Sequence, residues 1–124
     1  MSSYRDLDIY KIAFRLALDV HKLSLQLPKF EIYEQGSQVR RSSKSVKDQI
    51  VEGYGRKRYK ADFIKFLTYA QGSNDECTSQ IETILELYPQ FPEWEPLLSE
   101  YDQLGKKINK FIQYVESNWK VEQA

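Results

Sequence analysis

The chain has 124 residues, with 18 acidic and 18 basic side chains, and 41 % of its residues are hydrophobic. This length predicts one domain, and the apolar share is sufficient for a single core. No run of about 18 apolar residues is present, which argues against a membrane-spanning helix. Residues 1–6 lack the apolar stretch of a secretory signal, and the single cysteine, Cys77, cannot form an internal disulfide. Both features predict a cytoplasmic protein.

The first helix is predicted over about residues 6–27. Asp6 or Asp8 can cap its start, and Pro28 ends it, because the residue before a proline is biased away from helix. Its core stripe is formed by apolar residues that step by three or four positions: Ile9, Ile12, Leu16, Val20, Leu23 and Leu27. A second apolar line lies off this stripe and consists of Phe14, Leu18 and Leu25. A helix that is apolar on two sides needs two partners, and we expect another subunit to supply one of them.

The second helix is predicted over about residues 37–53, after a turn in which Phe30, Ile32 and Tyr33 can plug the end of a bundle. Ser37 is the expected N-cap. This helix has few apolar residues, and serines stand where larger side chains are expected, at Ser42, Ser43 and Ser45. Small side chains permit a neighbouring helix to approach closely, so we expect this helix to depend on packing for its stability.

The third and fourth helices are predicted over about residues 61–87 and 94–119. The third carries a stripe of Phe63, Phe66, Ala70, Cys77, Ile81, Ile84 and Tyr88, with Asn74 in its gap. The fourth carries Leu97, Tyr101, Leu104, Ile108, Phe111 and Val115. We expect Gly72, in the middle of the third helix, to mark a close helix contact rather than a hinge. Residues 121–124 are expected to be frayed.

Four amphipathic helices with short connectors and no strand pattern predict an all-α fold, an up-down-up-down four-helix bundle formed by residues 1–124. The near-seven-residue repeats on three of the helices are typical of shallow crossing angles.

Charge is distributed unevenly along this neutral chain. Residues 38–66 contain nine basic side chains against three acidic ones, a net charge of +6, so the remaining residues carry −6. The basic side chains are Arg40, Arg41, Lys44, Lys47, Arg56, Lys57, Arg58, Lys60 and Lys65. This asymmetry indicates a surface for a polyanion.

A basic connector, residues 53–60, is predicted between the second and third helices. Its cations can neutralise phosphates, and Tyr54 and Tyr59 can stack on exposed bases. The alternative is a solvated loop without a ligand. Gly53 and Gly55 do not form a phosphate loop, since they follow a helix and lack a third glycine. We expect them to end the helix in a left-handed turn.

Catalytic and metal-binding patterns are weak. One histidine and one cysteine, 56 positions apart, do not make a metal site, and no cofactor is predicted. Cys77 lies on a core stripe and is expected to be a buried, inert thiol, and His21 a surface or interface residue. Glu52 and Glu76 are possible acid–base carboxylates. The alternative for both is ion pairing with Arg40, Arg41 or Arg56, or hydrogen bonding to a neighbouring helix end.

The chain resembles the four-helix-bundle family often called 23S rRNA intervening-sequence proteins over nearly its whole length. The residues that carry the resemblance, in order, are Asp6-Leu7-Asp8-Ile9-Tyr10, Leu27-Pro28, Glu34, Gln38-Val39-Arg40-Arg41, Val46, Glu52-Gly53-Tyr54-Gly55-Arg56, Phe66-Leu67, Ala70, Gly72-Ser73 and Glu76. The order and spacing of these pieces together are specific. The chain departs from the family pattern at Gln49-Ile50-Val51, where Asn-Ile-Ala is usual.

The resemblance implies a homo-oligomer, typically a pentameric ring, of bacterial origin. A related, diverged protein is a nucleic-acid-binding accessory of a retroelement reverse transcriptase. We therefore predict a non-enzymatic oligomer that binds RNA or DNA through Arg40, Arg41, Lys44, Lys47, Arg56, Lys57, Arg58, Tyr59 and Lys60. The alternative is a scaffold that docks a partner protein without touching nucleic acid. Structural roles are predicted for Glu52, Gly53, Gly55, Gly72 and Glu76.

Overall fold

The computed structural model describes residues 3–120, and these contain helices but no strand. The long helices are α1 (Asp8–Ser24), α3 (Gln35–Gly55), α4 (Lys60–Leu87) and α5 (Glu95–Asn118), with a one-turn helix α2 (Lys29–Ile32) and two 3₁₀ turns, Tyr4–Asp6 and Pro92–Trp94. The predicted all-α four-helix bundle is confirmed. The tail predicted to fray, residues 121–124, lies outside the described residues.

Helices α3 and α4 are antiparallel and held together by small polar side chains. The Ser45 and Ser73 hydroxyls are 2.8 Å apart, and the Ser42 hydroxyl donates to Oε1 of Gln80 at 2.6 Å. Residue numbers rise along α3 as they fall along α4, so the two helices run in opposite directions. Ser42 and Ser43 are buried. The predicted role of the serines, close approach of a neighbouring helix, is confirmed.

Helices α4 and α5 are also antiparallel, and two side-chain amides connect them. Nδ2 of Asn74 donates to the Tyr101 carbonyl, and Nε2 of Gln71 donates to the Gly105 carbonyl, both at 3.0 Å. A Cβ atom on Gly105 would lie 3.0 Å from the Asn74 amide nitrogen, so glycine allows this contact.

The core follows most of the predicted stripes. Its buried members include Leu16, Val20, Val39, Val46, Ile50, Phe63, Leu67, Ile81, Ile84, Trp94, Tyr101, Leu104 and Ile108. On α1 the buried face is rotated from the prediction, because Ile12 and Leu23 are only half-buried, whereas Ala13 and Ala17 are buried. Alanines leave room for a neighbouring helix, and α1 packs against both α3 and α5. Cys77 is buried, and burial raises the pKa of its thiol to about 11.

The segment before α3 differs from its prediction. Helix α1 ends at Ser24 and not at Leu27, and Pro28 precedes the separate turn α2. Phe30 and Tyr33 are exposed, so the predicted plug is wrong for both of them, and Leu27 is buried there instead.

Helix α3 begins at Gln35, two residues before the predicted cap, Ser37. Its first backbone N–H, on Gln35, donates to Oε1 of Glu31 at 3.1 Å. The same carboxylate accepts a hydrogen bond from the Tyr88 hydroxyl at 2.5 Å. This bond raises the pKa of Tyr88. The Glu31 carboxylate, from the preceding turn, thus caps α3. The search for an N-cap residue next to the helix start does not reveal a cap of this kind.

Three predictions about glycines are wrong. No glycine among the described residues has a positive φ, and α3 continues through Gly53 to Gly55, so neither residue makes a left-handed turn. Gly72 is exposed, and a Cβ atom built on it meets nothing within 4 Å, so it marks no close contact. The close contact lies at Gly53, where a Cβ atom would be 3.1 Å from Cβ of Phe66 and 3.3 Å from the Phe63 carbonyl.

No helix within residues 3–120 combines the length and hydrophobicity needed to cross a membrane.

We predict opposite effects of the same substitution at two helical glycines. Gly53→Leu should lower the free energy of unfolding by about 1–3 kcal/mol, because the side chain overpacks the α3–α4 contact. Gly72→Leu should raise it by roughly 0.5–1 kcal/mol, because leucine is the better helix former at an open position. Urea denaturation followed by circular dichroism measures both. Equal destabilisation of the two variants would contradict the assigned contact.

Candidate nucleic-acid interface

The connector between α3 and α4 is short and ordered. It consists of residues 56–59, because α3 extends to Gly55 and α4 begins at Lys60. Two backbone turns close it: the Arg56 N–H donates to the Gly53 carbonyl at 3.0 Å, and the Tyr59 N–H donates to the Arg56 carbonyl at 2.8 Å. From the end of the bundle, Nε1 of Trp119 donates to the Lys57 carbonyl at 3.2 Å. The backbone that presents the basic side chains is therefore fixed at both ends and in its middle.

Arg56 is held by its neighbours. Its guanidinium lies 3.0 Å from the Glu52 carboxylate and 3.7 Å from the Asp62 carboxylate. It also lies over the Phe66 ring, 4.9 Å from the ring centre. The predicted ion pairing of Glu52 with an arginine is confirmed. Two carboxylates offset the charge of Arg56, so the net positive field at the connector comes from its other cations.

The two tyrosines at the ends of the basic loop, Tyr54 in the last turn of α3 and Tyr59 in the connector, have different environments. Tyr54 is buried, with its ring edge-on to Phe63, and the Lys57 ammonium lies 3.9 Å from the centre of the Tyr54 ring. The prediction that Tyr54 stacks on a base is therefore wrong. The Tyr59 side chain is 62 % exposed and remains open to a ligand.

The cations of residues 38–66, the basic stretch, divide into outward and internal groups. Arg41, Lys44 and Arg58 are exposed and Lys60 is half-exposed, and none of the four forms an ion pair within residues 3–120. The Lys47 ammonium, in contrast, lies 2.6 Å from the Asp48 carboxylate.

Arg40 belongs to the internal group. Its guanidinium donates to the Ser24 hydroxyl and to the Ile32 carbonyl, both at 2.8 Å, and so joins α1, α2 and α3. A Cβ atom on Gly36 would lie 3.1 Å from this guanidinium, so glycine provides its space. These contacts direct the Arg40 guanidinium inward, away from the face that carries the outward cations.

Three residues that the sequence analysis did not assign to the site lie beside the connector. Lys65 and Arg56 both lie over the Phe66 ring, with the Lys65 ammonium 5.3 Å from the ring centre. Tyr69 also contacts Phe66, with its ring edge-on and 5.5 Å between the ring centres, and is 49 % exposed. Phe66 was expected in the core. The spacing of three residues between Phe66 and Tyr69 was the signal that could have revealed that these two rings lie together.

Within residues 3–120 the structure does not bring the candidate acid–base carboxylates, Glu52 and Glu76, together. Glu52 is next to Gly53, and Gly53 packs on Phe66 of α4. Glu76 lies ten residues after Phe66, so the level of Glu76 along the α4 axis is about 15 Å from that of Glu52. The two carboxylates are therefore too far apart for joint acid–base catalysis. No ion pair of Glu76 is present within residues 3–120. No group of three or more His, Cys, Asp or Glu side chains in that range can hold a metal ion.

We predict that two adjacent arginines differ sharply in their effect on stability. Arg40→Met should lower the free energy of unfolding by about 1–3 kcal/mol, because it leaves the Ile32 carbonyl and the Ser24 hydroxyl without their donor. Arg41→Met, at an exposed position, should change it by no more than about 0.5 kcal/mol. Urea titrations of both variants test this. An Arg40→Met protein as stable as the parent would contradict the internal role of this guanidinium.

Comparison with known proteins identifies one family. The family model described as 23S rRNA-intervening sequence protein matches residues 5–110, which include the connector and all of α1, α3 and α4. A search of curated proteins finds no match to this chain.

Proposed function

Since the chain belongs to the 23S rRNA-intervening sequence protein family, we propose that it is a non-enzymatic, cytoplasmic protein that binds RNA or DNA through a basic face. This face comprises the outer side of α3, the connector and the start of α4. The observation that carries the proposal is the separation of charge: residues 38–66 carry +6 in a chain whose net charge is zero. A nucleic acid is the cellular polyanion whose phosphates match such a face.

Binding would depend mainly on phosphates. Arg41, Lys44 and Arg58 are exposed and have no acidic partner within the described residues, so a phosphate can approach them without displacing an internal ion pair. Backbone contacts of this kind release counterions and carry no base information. We therefore expect binding that is strongly dependent on salt and tolerant of sequence.

Self-association is the second part of the proposal. Phe14, Leu18 and Leu25 are between 42 % and 51 % exposed; Phe14 and Leu18 lie one turn apart on α1, and Leu25 is the residue that follows its end. An apolar row of this kind on a single subunit supports burial against another copy, and the family resemblance suggests a pentameric ring. A ring would repeat the basic face and so strengthen its attraction for a long polyanion.

The same apolar row supports a different candidate function, a scaffold that docks a partner protein without touching nucleic acid. Under this alternative the basic face would recognise an acidic protein surface. Absence of any RNA or DNA binding at low salt, together with an intact fold, would favour the scaffold.

We predict that the outward cations determine the salt dependence of binding. Replacing Arg41, Lys44, Arg58 and Lys60 with glutamine removes four charges without breaking any internal ion pair. Affinity for RNA or DNA should fall, and the slope of log affinity against log salt should flatten by about 0.7–0.9 for each phosphate that the variant no longer neutralises. Fluorescence anisotropy at several salt concentrations measures both quantities.

The control is the pair Lys107→Gln and Lys110→Gln on α5, which removes two exposed lysines outside the basic stretch. Affinity and salt slope should both be unchanged in the control. If the four-residue variant retains the affinity and slope of the parent, the basic face is not the binding surface.

We predict that the parent protein has a mass several times that of the 14.7 kDa chain in multi-angle light scattering at micromolar concentration. Leu18→Glu should reduce this mass, because a carboxylate in an apolar contact is costly to desolvate. Gln103→Glu, on the exposed side of α5, adds the same charge and should leave the mass unchanged. A monomeric parent would rule out self-association.

A further inference from the structure

An aromatic strip lies beside the basic connector. It consists of Tyr59, Phe66 and Tyr69, where Tyr59 is the residue preceding α4 and the other two lie in its first three turns. The rings of Phe66 and Tyr69 meet edge-on with 5.5 Å between their centres, and Tyr59 stands at the N-terminal end of the same helix. Tyr59 and Tyr69 are 62 % and 49 % exposed. Phe63 and Leu67 fill the core in this part of α4, whereas Tyr59 and Tyr69 lie outside it, so the two tyrosines are not needed to fill the bundle.

Cations are interleaved with this aromatic strip. Arg56 and Lys65 both lie within 5.3 Å of the centre of the Phe66 ring, inside the range of a cation–π interaction. Arg58 and Lys60 flank Tyr59 in sequence. Two carboxylates, of Glu52 and Asp62, are paired with Arg56 beside the strip, which reduces their repulsion of a phosphate.

The two exposed rings are separated along the helix. Tyr59 and Tyr69 are ten residues apart, which corresponds to about 15 Å along the axis of α4. They therefore cannot contact one base together, and each is available for a base of its own. Because neither ring belongs to the core, stacking requires no rearrangement of the core.

We propose that this face binds an unpaired strand of RNA or DNA in preference to a duplex, with bases stacked on Tyr59 and Tyr69 and phosphates beside Arg58, Lys60 and Lys65. The inference rests on the proposed function and specifies its ligand. A duplex hides its bases within the helical stack and presents phosphates outside, so exposed rings gain little from it. An unpaired strand offers both groups, and alternating cations and aromatic rings are the arrangement that binds it.

The test compares an unpaired oligonucleotide with a duplex of the same sequence. The double variant Tyr59→Leu, Tyr69→Leu keeps all charges and an apolar side chain but removes both rings. Its affinity for the unpaired strand should fall about tenfold or more, since neither base can then stack on an aromatic ring. Its duplex affinity and its salt slope should not change. Tyr59→Phe with Tyr69→Phe retains both rings and should bind the unpaired strand like the parent.

Tyr33→Leu is the matched control, since Tyr33 is an exposed tyrosine next to the opposite end of α3. It should leave both affinities unchanged. Circular dichroism melts verify that all variants fold, as expected for substitutions at exposed rings.

Two results would overturn the inference and leave the proposed function standing. One is an equal or higher affinity of the parent for the duplex, and the other is an unchanged affinity of the double leucine variant for the unpaired strand. A parent that binds neither form at low salt would instead overturn the proposed function and this inference with it.

Discussion

The close packing of α3 on α4 is the constraint on which the rest of the molecule depends. Helix α3 has few apolar residues and cannot provide a broad hydrophobic stripe, so it packs on α4 through Ser42, Ser45 and Gly53 at short distance. A narrow buried face leaves a wide outer one, and that outer face carries the cations. The same packing places the C-terminal half of α3 beside the start of α4, so a short connector is sufficient to join the two helices. Both the separation of charge and the close packing thus follow from the composition of α3, which has few apolar and many basic residues.

The two ends of the bundle use polar groups differently. At one end, Glu31, Arg40 and Tyr88 are engaged in internal hydrogen bonds that cap α3 and join α1, α2 and α4 to it. At the other end, the backbone of the connector is fixed by its own turns and by Trp119, while most of its side chains remain outside. A rigid backbone that presents exposed cations needs little ordering when a ligand binds, which reduces the entropic cost of association.

Family membership and physical chemistry support the proposal from different directions. The family match covers the helices that carry the basic face, but it does not specify a ligand. The ligand is inferred from chemistry: cations without acidic partners suit phosphates, and exposed rings between them suit bases. The apolar row on α1 lies on a different helix, so self-association and nucleic-acid binding can occur together. Their combination would arrange several basic faces along one strand.

The sequence by itself determined the helix count, the antiparallel order and most of the core, because periodic apolar residues and proline positions depend on local chemistry. It also determined the asymmetry of charge, since that is a property of composition.

The sequence did not determine which basic residues face solvent. Arg40 and Arg41 are neighbours in sequence, yet one joins three helices and the other is exposed, because 100° of helix rotation separates them. Only the tertiary structure decided that Gly53 and not Gly72 is in close contact, that Tyr54 is buried, and that Phe66 lies beside two cations. Each of these depends on where a second helix lies, and residues distant in the chain establish that position.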